Sequence, residues 1–426
     1  MSDPGAPLTR AWVLHPDIQG KPQRHAPAPA LEEAVALARA LPGLKVAGAE
    51  IVRLPRVRPG YLFGAGKVEE LKARLAAEDV GLVLVDGPVT PVQQRNLEKA
   101  WGVKLLDRTG LILEIFAERA RTREGVLQVE LAALNYQRTR LVRAWTHLER
   151  QRGGLGFVGG PGETQIEADR RAIDEAITRI RRQLSKVAKT RALHRAARAR
   201  VPFPVVALVG YTNAGKSTLF NRLTGAEVMA KDMLFATLDP TMRGLTLPAG
   251  QRIILSDTVG FISDLPTQLV AAFRATLEEV LDADLIVHVR DISHPETGEQ
   301  AEDVRRILEE LGVSADIPVI EAWNKIDTMA PEARAAVAAR AARTPGVVAL
   351  SARTGEGVEA LLQAVGGALE QERHGRELFL PFSEGRKRAW LHEQGVVEAE
   401  TQEEEGFRLR VRWTARQEKA FRELQG

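Results

Sequence analysis

The stretch that decides the fold reads Gly210-Tyr211-Thr212-Asn213-Ala214-Gly215-Lys216-Ser217, and Thr218 follows it. It fits the phosphate-binding loop pattern GxxxxGK[ST] at every defined position. An apolar run, residues 205–209, precedes it, and a helix-compatible run follows. Glycines let backbone N–H groups face an anion, and the helix dipole adds positive potential. We therefore expect Lys216 to reach the β- and γ-phosphates of a nucleotide and the Ser217 hydroxyl to bind Mg²⁺.

A second motif predicts which base is bound. Asn324-Lys325-Ile326-Asp327 follows the apolar run 318–323 and fits NKxD, the guanine-reading element of GTPases. A carboxylate such as Asp327 only accepts hydrogen bonds, and guanine offers it two donors that adenine lacks. Sites built on such bonds can reject the wrong ligand by about 10⁴-fold or more. Downstream, Ser351-Ala352-Arg353 fits the short loop that backs the guanine.

Two segments between these motifs are predicted to sense the γ-phosphate. Asp257-Thr258-Val259-Gly260 fits DxxG, so that Asp257 would hold Mg²⁺ through water and the Gly260 N–H would contact the γ-phosphate. The first switch position is occupied by Phe235-Ala236-Thr237-Leu238-Asp239. Thr237 is our choice for the second hydroxyl ligand of Mg²⁺, and Thr241 is the alternative. The predicted catalytic groups are Lys216, Thr237, Asp257 and Gly260.

Strand-like runs recur near residues 205, 252, 285, 318 and 347, with helix-like runs between them. This alternation predicts an α/β fold: a P-loop GTPase domain with a doubly wound, mostly parallel sheet. Ligands in such sheets bind at the carboxyl ends of the strands, where each of these motifs falls.

Two residues of the predicted site bear on its rate of hydrolysis. Ras-like proteins place a glutamine after DxxG to orient the attacking water, whereas this chain has Phe261 there. We therefore expect slow intrinsic hydrolysis and completion of the site by a partner. Asn213 raises the further hypothesis of a K⁺ ion near the phosphates.

The whole chain of 426 residues is long enough for about three domains. It has no cysteine, which excludes disulfides, zinc–thiolate sites and cysteine nucleophiles. It has no apolar signal core at its start and no apolar run of about 18 residues. We expect a cytoplasmic monomer without a membrane span, with peripheral membrane association left open.

Residues 1–125 are predicted to form an N-terminal α/β domain, with strands near 11–15, 45–52, 81–86 and 103–106. Its basic patch, Arg53, Arg56 and Arg58, is read either as a solvated loop or as a functional surface. Residues 372–426 are predicted to form a small α+β C-terminal domain, and 201–371 the GTPase domain between them. In the C-terminal domain, residues 407–413 alternate apolar and arginine side chains, as in a strand with one basic face.

Two segments of residues 126–200 carry apolar side chains in alternating steps of four and three, with Arg138 and Arg170 each filling one position of the rhythm. The first stripe is Leu127, Leu131, Leu134, Leu141, Trp145 and Leu148; the second is Ile166, Ile173, Ile177, Ile180, Leu184 and Val187. Such narrow stripes predict a projecting antiparallel helical hairpin. Its tip loop, residues 152–164, is rich in glycine and is interpreted either as a connector or as a probe that enters a partner. The second helix has a large excess of arginine and lysine, which predicts contact with an RNA backbone.

These motifs together resemble a known family. GYTNAGKSTLFNRLTG, LFATLDPT, DTVGFI, NKID and SAR, with the tip GGLGFVGGPGETQIEADRR, closely resemble the HflX family of translational GTPases. The resemblance implies hydrolysis of GTP to GDP with Mg²⁺ held by Ser217 and Thr237, and association with the large (50S) ribosomal subunit and its rRNA. It also implies that the hairpin inserts its tip loop toward the peptidyl-transferase region and helps to split stalled ribosomes. A hydrophobic residue at 261 agrees with this family.

Two other classes are weighed against this reading. A tRNA-modifying GTPase would share the asparagine in the phosphate loop, but that group typically ends in a functional cysteine, which this chain lacks. A GTP-binding regulatory scaffold without catalysis is the other alternative. Lys216, Asp257 and the switch threonines argue against it.

Overall fold

The computed structural model describes residues 8–20, 24–151, 161–198, 203–226, 235, 241–263, 280–281, 283–371, 373–414, 417–418, 421–422 and 424. Among these residues, no helix combines the length and the apolar character needed to cross a membrane.

The N-terminal unit is a four-stranded parallel sheet in the order β2-β1-β3-β4, with a helix after each strand. Its elements are β1 Thr9–Ile18, α1 Pro27–Ala40, β2 Leu44–Leu54, α2 Ala65–Ala77, β3 Leu82–Val85, α3 Pro91–Trp101, β4 Lys104–Asp107 and α4 Arg108–Arg119. The four strands lie where the apolar runs predict them. Helix α4 was not predicted; Asp107 caps it by accepting a hydrogen bond from the Gly110 N–H at 2.8 Å.

Two long helices follow, α5 Arg123–Gln151 with 29 residues and α6 Pro161–Arg198 with 38. They pair antiparallel, since Arg138 and Asp174, which lie at equal distances from the turn, form an ion pair at 3.2 Å. Ile177 and Ile180 of the predicted stripe are buried. One prediction is corrected: residues 161–164 were assigned to the tip loop but are helical, because Pro161 is pre-organised for the first helical position.

The central unit is a six-stranded sheet in the order β10-β9-β8-β5-β7-β6, in which only β6 runs antiparallel to its neighbour. Its elements are β5 Val205–Val209, α7 Lys216–Thr224, β6 Thr241–Thr246, β7 Arg252–Asp257, β8 Leu285–Asp291, α8 Thr297–Leu311, β9 Val319–Asn324, a 3₁₀ turn Ile326–Thr328, α9 Pro331–Arg343, β10 Val347–Ala349 and α10 Val358–Gln371. This arrangement confirms the mostly parallel sheet predicted from the strand-like runs.

The C-terminal unit contains a three-stranded antiparallel sheet in the order β11-β13-β12, and helix α11 packs on it. Its elements are β11 His374–Pro381, α11 Gly385–Glu393, β12 Val397–Gln402 and β13 Gly406–Trp413. Strand β13 alternates as predicted: Leu409, Val411 and Trp413 are buried. The intervening arginines are exposed and each pairs with a glutamate, such as Arg410 with Glu377 at 3.3 Å.

The N-terminal and central units share one hydrophobic core. Leu37 of α1 and Phe116 of α4 belong to the same buried cluster as Phe261, Ile262 and Val304. The phosphate loop therefore lies against α1 and α4 of the preceding domain.

Candidate functional site: a guanine-nucleotide site

The predicted phosphate loop connects the carboxyl end of β5 to the first residue of α7, which is Lys216. The Lys216 Nζ donates to the carbonyls of Gly210 at 3.0 Å and Tyr211 at 2.8 Å. Burial lowers the pKa of Lys216 to about 8, and the nearby Asp257 carboxylate opposes that shift. The ammonium group thus lies inside the loop, where phosphate oxygens would bind.

The base end of the site is joined to the phosphate end by Asn324. Its Nδ2 donates to the Ala214 carbonyl, and its Oδ1 accepts from the Ala352 N–H, both at 2.8 Å. Gly215 has φ +96°, and a Cβ there would lie 2.2 Å from the Asn324 amide nitrogen. Only glycine fits at that position. NKxD, the phosphate loop and the Ser351 loop therefore meet at one place.

Asp327, the predicted guanine reader, lies half-exposed in the 3₁₀ turn that follows β9. Lys325, in the left-handed region at φ 69°, places its Nζ 2.7 Å from the Asp291 carboxylate at the end of β8. Ser351 is fully buried, and its hydroxyl accepts the Thr354 N–H at 3.0 Å.

The side chains around Ser217 show whether the expected Mg²⁺ position has suitable ligands. The hydroxyl of Ser217 donates to Asp257 Oδ2 at 2.8 Å, so a hydroxyl and a buried carboxylate lie side by side at the mouth of the phosphate loop. Oxygen donors of this kind suit Mg²⁺, which takes few protein ligands when phosphates supply the others. The residues present therefore fit the ion. Thr237, the predicted second ligand, lies outside the described residues, as do Ala236, Leu238 and Asp239.

The DxxG segment packs directly on the phosphate loop. The Thr212 N–H donates to the Phe261 carbonyl at 2.7 Å, and the Phe261 N–H donates to the Gly210 carbonyl at 3.1 Å. A Cβ at Gly260 would lie 2.9 Å from the Thr212 Cγ2 and 3.1 Å from the Lys216 Nζ. The Gly260 backbone is thus held close to where a γ-phosphate would lie.

The other two residues of DxxG, and the residue after it, point away from the phosphates. Thr258 is buried and its hydroxyl donates to the Leu208 carbonyl at 2.6 Å, and Val259 is in the core. Phe261 is 3% exposed, with its ring in the shared core. It cannot orient water.

Sequence reasoning missed the groups that the N-terminal unit brings to this site. Arg108 donates to the Ser263 carbonyl at 2.9 Å and also pairs with Glu33 and with Asp86. Glu33 in turn accepts from the hydroxyls of Ser263, at 2.9 Å, and Tyr211. No local pattern marks Glu33 or Arg108 as part of the site.

The first switch contacts the same unit. The ring of Phe235 meets that of Phe116 edge to face, with centroids 4.6 Å apart. Phe116 is fully buried and Phe235 nearly so. Helix α4 therefore contacts both predicted switch segments.

Arg222 of α7 is a further residue that the sequence did not point to. Its Nε donates to the Ala352 carbonyl at 2.6 Å, and its Nη2 donates to the Arg353 carbonyl. The guanidinium thereby holds the outer side of the loop predicted to back the guanine.

Four family models match the chain in order. Their descriptions are GTP-binding GTPase N-terminal (residues 28–117), GTP-binding GTPase Middle Region (119–198), 50S ribosome-binding GTPase (205–325) and HflX C-terminal domain (336–425). The matches confirm the family predicted from the motifs and the presence of a GTPase domain on the six-stranded sheet.

Individual relatives agree with these matches. The chain is 51% identical over 395 residues to GTPase HflX of Magnetococcus marinus, covering 93% of this chain and 90% of the relative. It is 47% identical to GTPase HflX of Escherichia coli, covering 82% and 81%. Among solved structures it resembles a GTP-binding protein from Sulfolobus solfataricus in complex with GDP, with 23% identity, TM-score 0.46, and coverage of 85% and 99%. The family models and the curated relatives show that the chain belongs to the HflX family and is a ribosome-associated GTPase.

Proposed function

We propose that this GTPase binds the large ribosomal subunit in its GTP state and uses its helical hairpin to separate stalled ribosomes into subunits. In this proposal the tip loop, residues 152–164, enters the subunit toward the peptidyl-transferase region. The work is divided among four units, residues 1–125, 126–200, 201–371 and 372–426, and the protein acts as a cytoplasmic monomer.

The observation that carries the proposal is the length of the hairpin. Helices of 29 and 38 residues span about 44 and 57 Å at 1.5 Å per residue. About the first five turns of α5 are rooted in the N-terminal domain: Leu127, Val129 and Ala132 are buried, and Arg140 pairs with Asp107 at 2.8 Å. A rod of this length can reach a site deep inside a large particle.

The surface of α6 supports an RNA partner. Arg179, Arg181 and Arg182 are exposed, and within the described part of the chain none of them forms an ion pair. Leaving such charges unpaired on a projecting helix favours contact with a phosphate backbone over an internal role.

We assign a role to each chemical group of the proposed nucleotide site. Lys216 binds the β- and γ-phosphates, the Gly260 N–H contacts the γ-phosphate, and Asp327 accepts both guanine donors. Ser217 and Thr237 would hold Mg²⁺, with Asp257 behind its water. When bound, Mg²⁺ neutralises the charge that develops between the β- and γ-phosphates.

Phe261 stands where Ras-like proteins have the water-orienting glutamine, and its buried ring cannot hydrogen-bond water. We propose that the ribosome supplies the missing group or reorders the switch segments. Groups of this kind are worth roughly 10³- to 10⁵-fold in rate. Large subunits should therefore stimulate hydrolysis by a factor within that range.

Potassium is a second part of the proposal. Asn213 is exposed on the phosphate loop with φ 59°, so its side chain oxygen can face a cation beside the phosphates. We expect faster hydrolysis in potassium than in sodium buffer, and a loss of that difference in Asn213→Ala. Equal wild-type rates of hydrolysis in both buffers would contradict the binding of K⁺ at Asn213.

The main test follows ribosome splitting by light scattering, with sedimentation to identify the bound subunit. Three proteins are compared: the wild type, Lys216→Ala, and a variant in which residues 152–160 are replaced by a short glycine–serine linker. Each is assayed with GTP, with a non-hydrolysable analogue and with GDP.

We expect wild type to sediment with large subunits under the analogue, to release them under GDP, and to split ribosomes. The linker variant should keep its GTP affinity and lose splitting, whereas Lys216→Ala should lose both. Splitting by the linker variant at the wild-type rate would refute the role of the tip loop.

A further inference from the structure

A basic loop of the N-terminal unit stands apart from the hairpin. Arg53, Arg56 and Arg58 are exposed in residues 53–62, which we name the arginine loop. Within the described part of the chain none of the three forms an ion pair. The flanking sequence offers no partner either, since residues 51–68 contain four basic side chains and no carboxylate.

Nearby basic residues behave differently. Lys67 pairs with Glu50 at 3.1 Å, and Arg74 reaches the same carboxylate at 2.7 Å. Arg10 pairs with Glu78 at 2.8 Å. The neighbouring cations are thus neutralised by carboxylates, whereas the three arginines of the loop are not. The arginine loop is therefore a local concentration of positive charge.

The loop is rigid. Arg58 and Leu62 exchange two backbone hydrogen bonds, at 3.0 and 2.9 Å. The side chain amides of Gln93 and Asn96, both on α3, donate to the carbonyls of Arg58 and Gly60 at 2.9 Å. A pre-organised loop loses little conformational entropy when it binds a partner.

An aromatic ring lies among the arginines. Tyr61 is 43% exposed, and Val57 of the same loop is 38% exposed. Proteins that bind unpaired RNA combine basic side chains along the backbone with aromatic faces on which bases stack.

Helix α3 carries both this loop and the hairpin. Gln93 and Asn96 hold the arginine loop, while Gln94 accepts a hydrogen bond from Arg140 of α5. The arginine loop and α5 are therefore both fixed to the same helix. Two surfaces fixed in this way can bind one RNA together, which raises the affinity beyond that of either alone.

We propose that the arginine loop is a second RNA-binding surface, with phosphates on Arg53, Arg56 and Arg58 and an unpaired base stacked on Tyr61. The RNA class is single-stranded or looped RNA. That it belongs to the large subunit rests on the proposed function.

The test measures binding of the full-length protein to two RNA probes over a range of salt concentrations. One is a transcript of large-subunit ribosomal RNA, and the other is a fully paired RNA duplex. The loop variants are a triple change, Arg53→Gln, Arg56→Gln and Arg58→Gln, and the single changes Tyr61→Ala and Tyr61→Phe. The matched control removes three exposed charges from the same domain: Arg39→Gln, Lys45→Gln and Lys99→Gln. Melting temperature and GTP affinity are measured for each variant.

We expect the loop triple to weaken binding of the transcript at least tenfold. It should also reduce the slope of log K against log salt by about two, since each lost phosphate contact contributes about 0.7. Tyr61→Ala should weaken binding of the transcript about tenfold without changing duplex binding, and Tyr61→Phe should restore it.

An equal loss in the control triple, or an unchanged salt slope in the loop triple, would overturn the proposal. The splitting assay on the wild type judges the proposed function separately. A wild type that splits ribosomes, with a loop triple that binds RNA normally, would overturn only the role of the loop.

Discussion

At the scale of single residues, Phe261 decides how the site must be completed. Its ring is 3% exposed in the shared core, while its backbone pairs with the phosphate loop. The side chain of Phe261 therefore fills the core, while its backbone holds the phosphate loop. A glutamine at this position would enter the core and not the phosphate site.

This leads to a prediction for Phe261→Gln. Burying an amide among apolar side chains costs about 1 to 3 kcal/mol, so the melting temperature should fall. The intrinsic rate of GTP hydrolysis should not rise, because the amide faces away from the phosphates. Phosphate release and thermal unfolding measure the two effects, with Phe261→Leu as the apolar control. Faster hydrolysis in the glutamine variant would contradict the geometry.

A second residue-scale prediction concerns Arg222. Its bonds to the Ala352 and Arg353 carbonyls hold the loop predicted to back the guanine. Arg222→Leu should weaken GDP binding about tenfold, or about 1.4 kcal/mol, close to the contribution of one charge-assisted hydrogen bond. It should also reduce the preference for GDP over IDP, because a displaced loop no longer holds the base in register.

Calorimetry with both nucleotides provides the measurement for Arg222. Arg243→Leu, an exposed change on β6, controls for the loss of charge. If Arg222→Leu binds GDP and IDP with the wild-type ratio, the guanidinium does not position the base loop.

At the scale of elements, α1 and α4 are joined to the switch region by a buried chain of polar groups. Arg108 contacts Glu33, Asp86 and the Ser263 backbone, and Glu33 reaches Tyr211. Charge pairs raise the pKa of Arg108 although burial opposes them, and Arg108 also lowers the pKa of Asp86 against its own burial. This chain ties the segment after DxxG to the N-terminal unit.

We predict that Arg108→Met is strongly destabilising. It leaves Glu33 and Asp86 buried without their cation, and breaking one partner of a buried pair typically costs about 3 to 5 kcal/mol. Urea unfolding measures the loss. The double variant with Glu33→Gln should recover part of it, since it removes one stranded carboxylate. Strict additivity of the two changes would show that the pair is not coupled.

A pH-dependent contact joins the segment before α1 to α8. His25 lies between Asp303, at 2.8 Å, and Glu296, at 2.9 Å, and these bonds raise its pKa to about 9 although burial opposes the shift. Arg24 and Arg306 also face Asp303. The folded pKa exceeds the unfolded value, so the stabilisation is complete below pH about 6.5 and is lost as pH rises toward 9.

We therefore expect the stability of the wild type to fall by up to about 3 kcal/mol relative to His25→Gln between these two pH values. Chemical unfolding at several pH values gives the comparison, and the difference should be largest at acidic pH. A constant difference across the range would mean that His25 does not titrate in this contact.

At the scale of the whole molecule, the shared core couples the N-terminal unit to nucleotide binding. We predict that GDP slows hydrogen exchange in α1 and α4 as well as in residues 203–226, because Tyr211 and the switch residues touch those helices. Ligand at about 100 times its Kd stabilises the bound state by about 2.7 kcal/mol, which limits the effect. Hydrogen exchange with mass spectrometry locates the protection. Protection confined to the central sheet would show that the units respond independently.

The order of the motifs was sufficient to predict the mostly parallel sheet, the family and a GTP-binding domain, because each signal is local. The antiparallel edge strand β6 was not predicted. Strand alternation reports burial, GxxxxGK[ST] reports a loop before a helix, and the carboxylate of Asp327 specifies the base by its hydrogen-bonding capacity. The heptad stripes likewise predicted the hairpin, although residues 161–164, assigned to the tip loop, are helical. Helix α4 was not predicted, although seven of its twelve residues are buried.

What only the tertiary structure decided is the contact between domains. Glu33 and Ser263 are 230 positions apart, and Phe116 of the N-terminal unit packs on Phe235 of the first switch. A sequence pattern states that a side chain will be buried but not which distant surface will cover it. The motifs therefore determined what this protein binds, and the docking of α1 and α4 determined which other residues hold its switches in place.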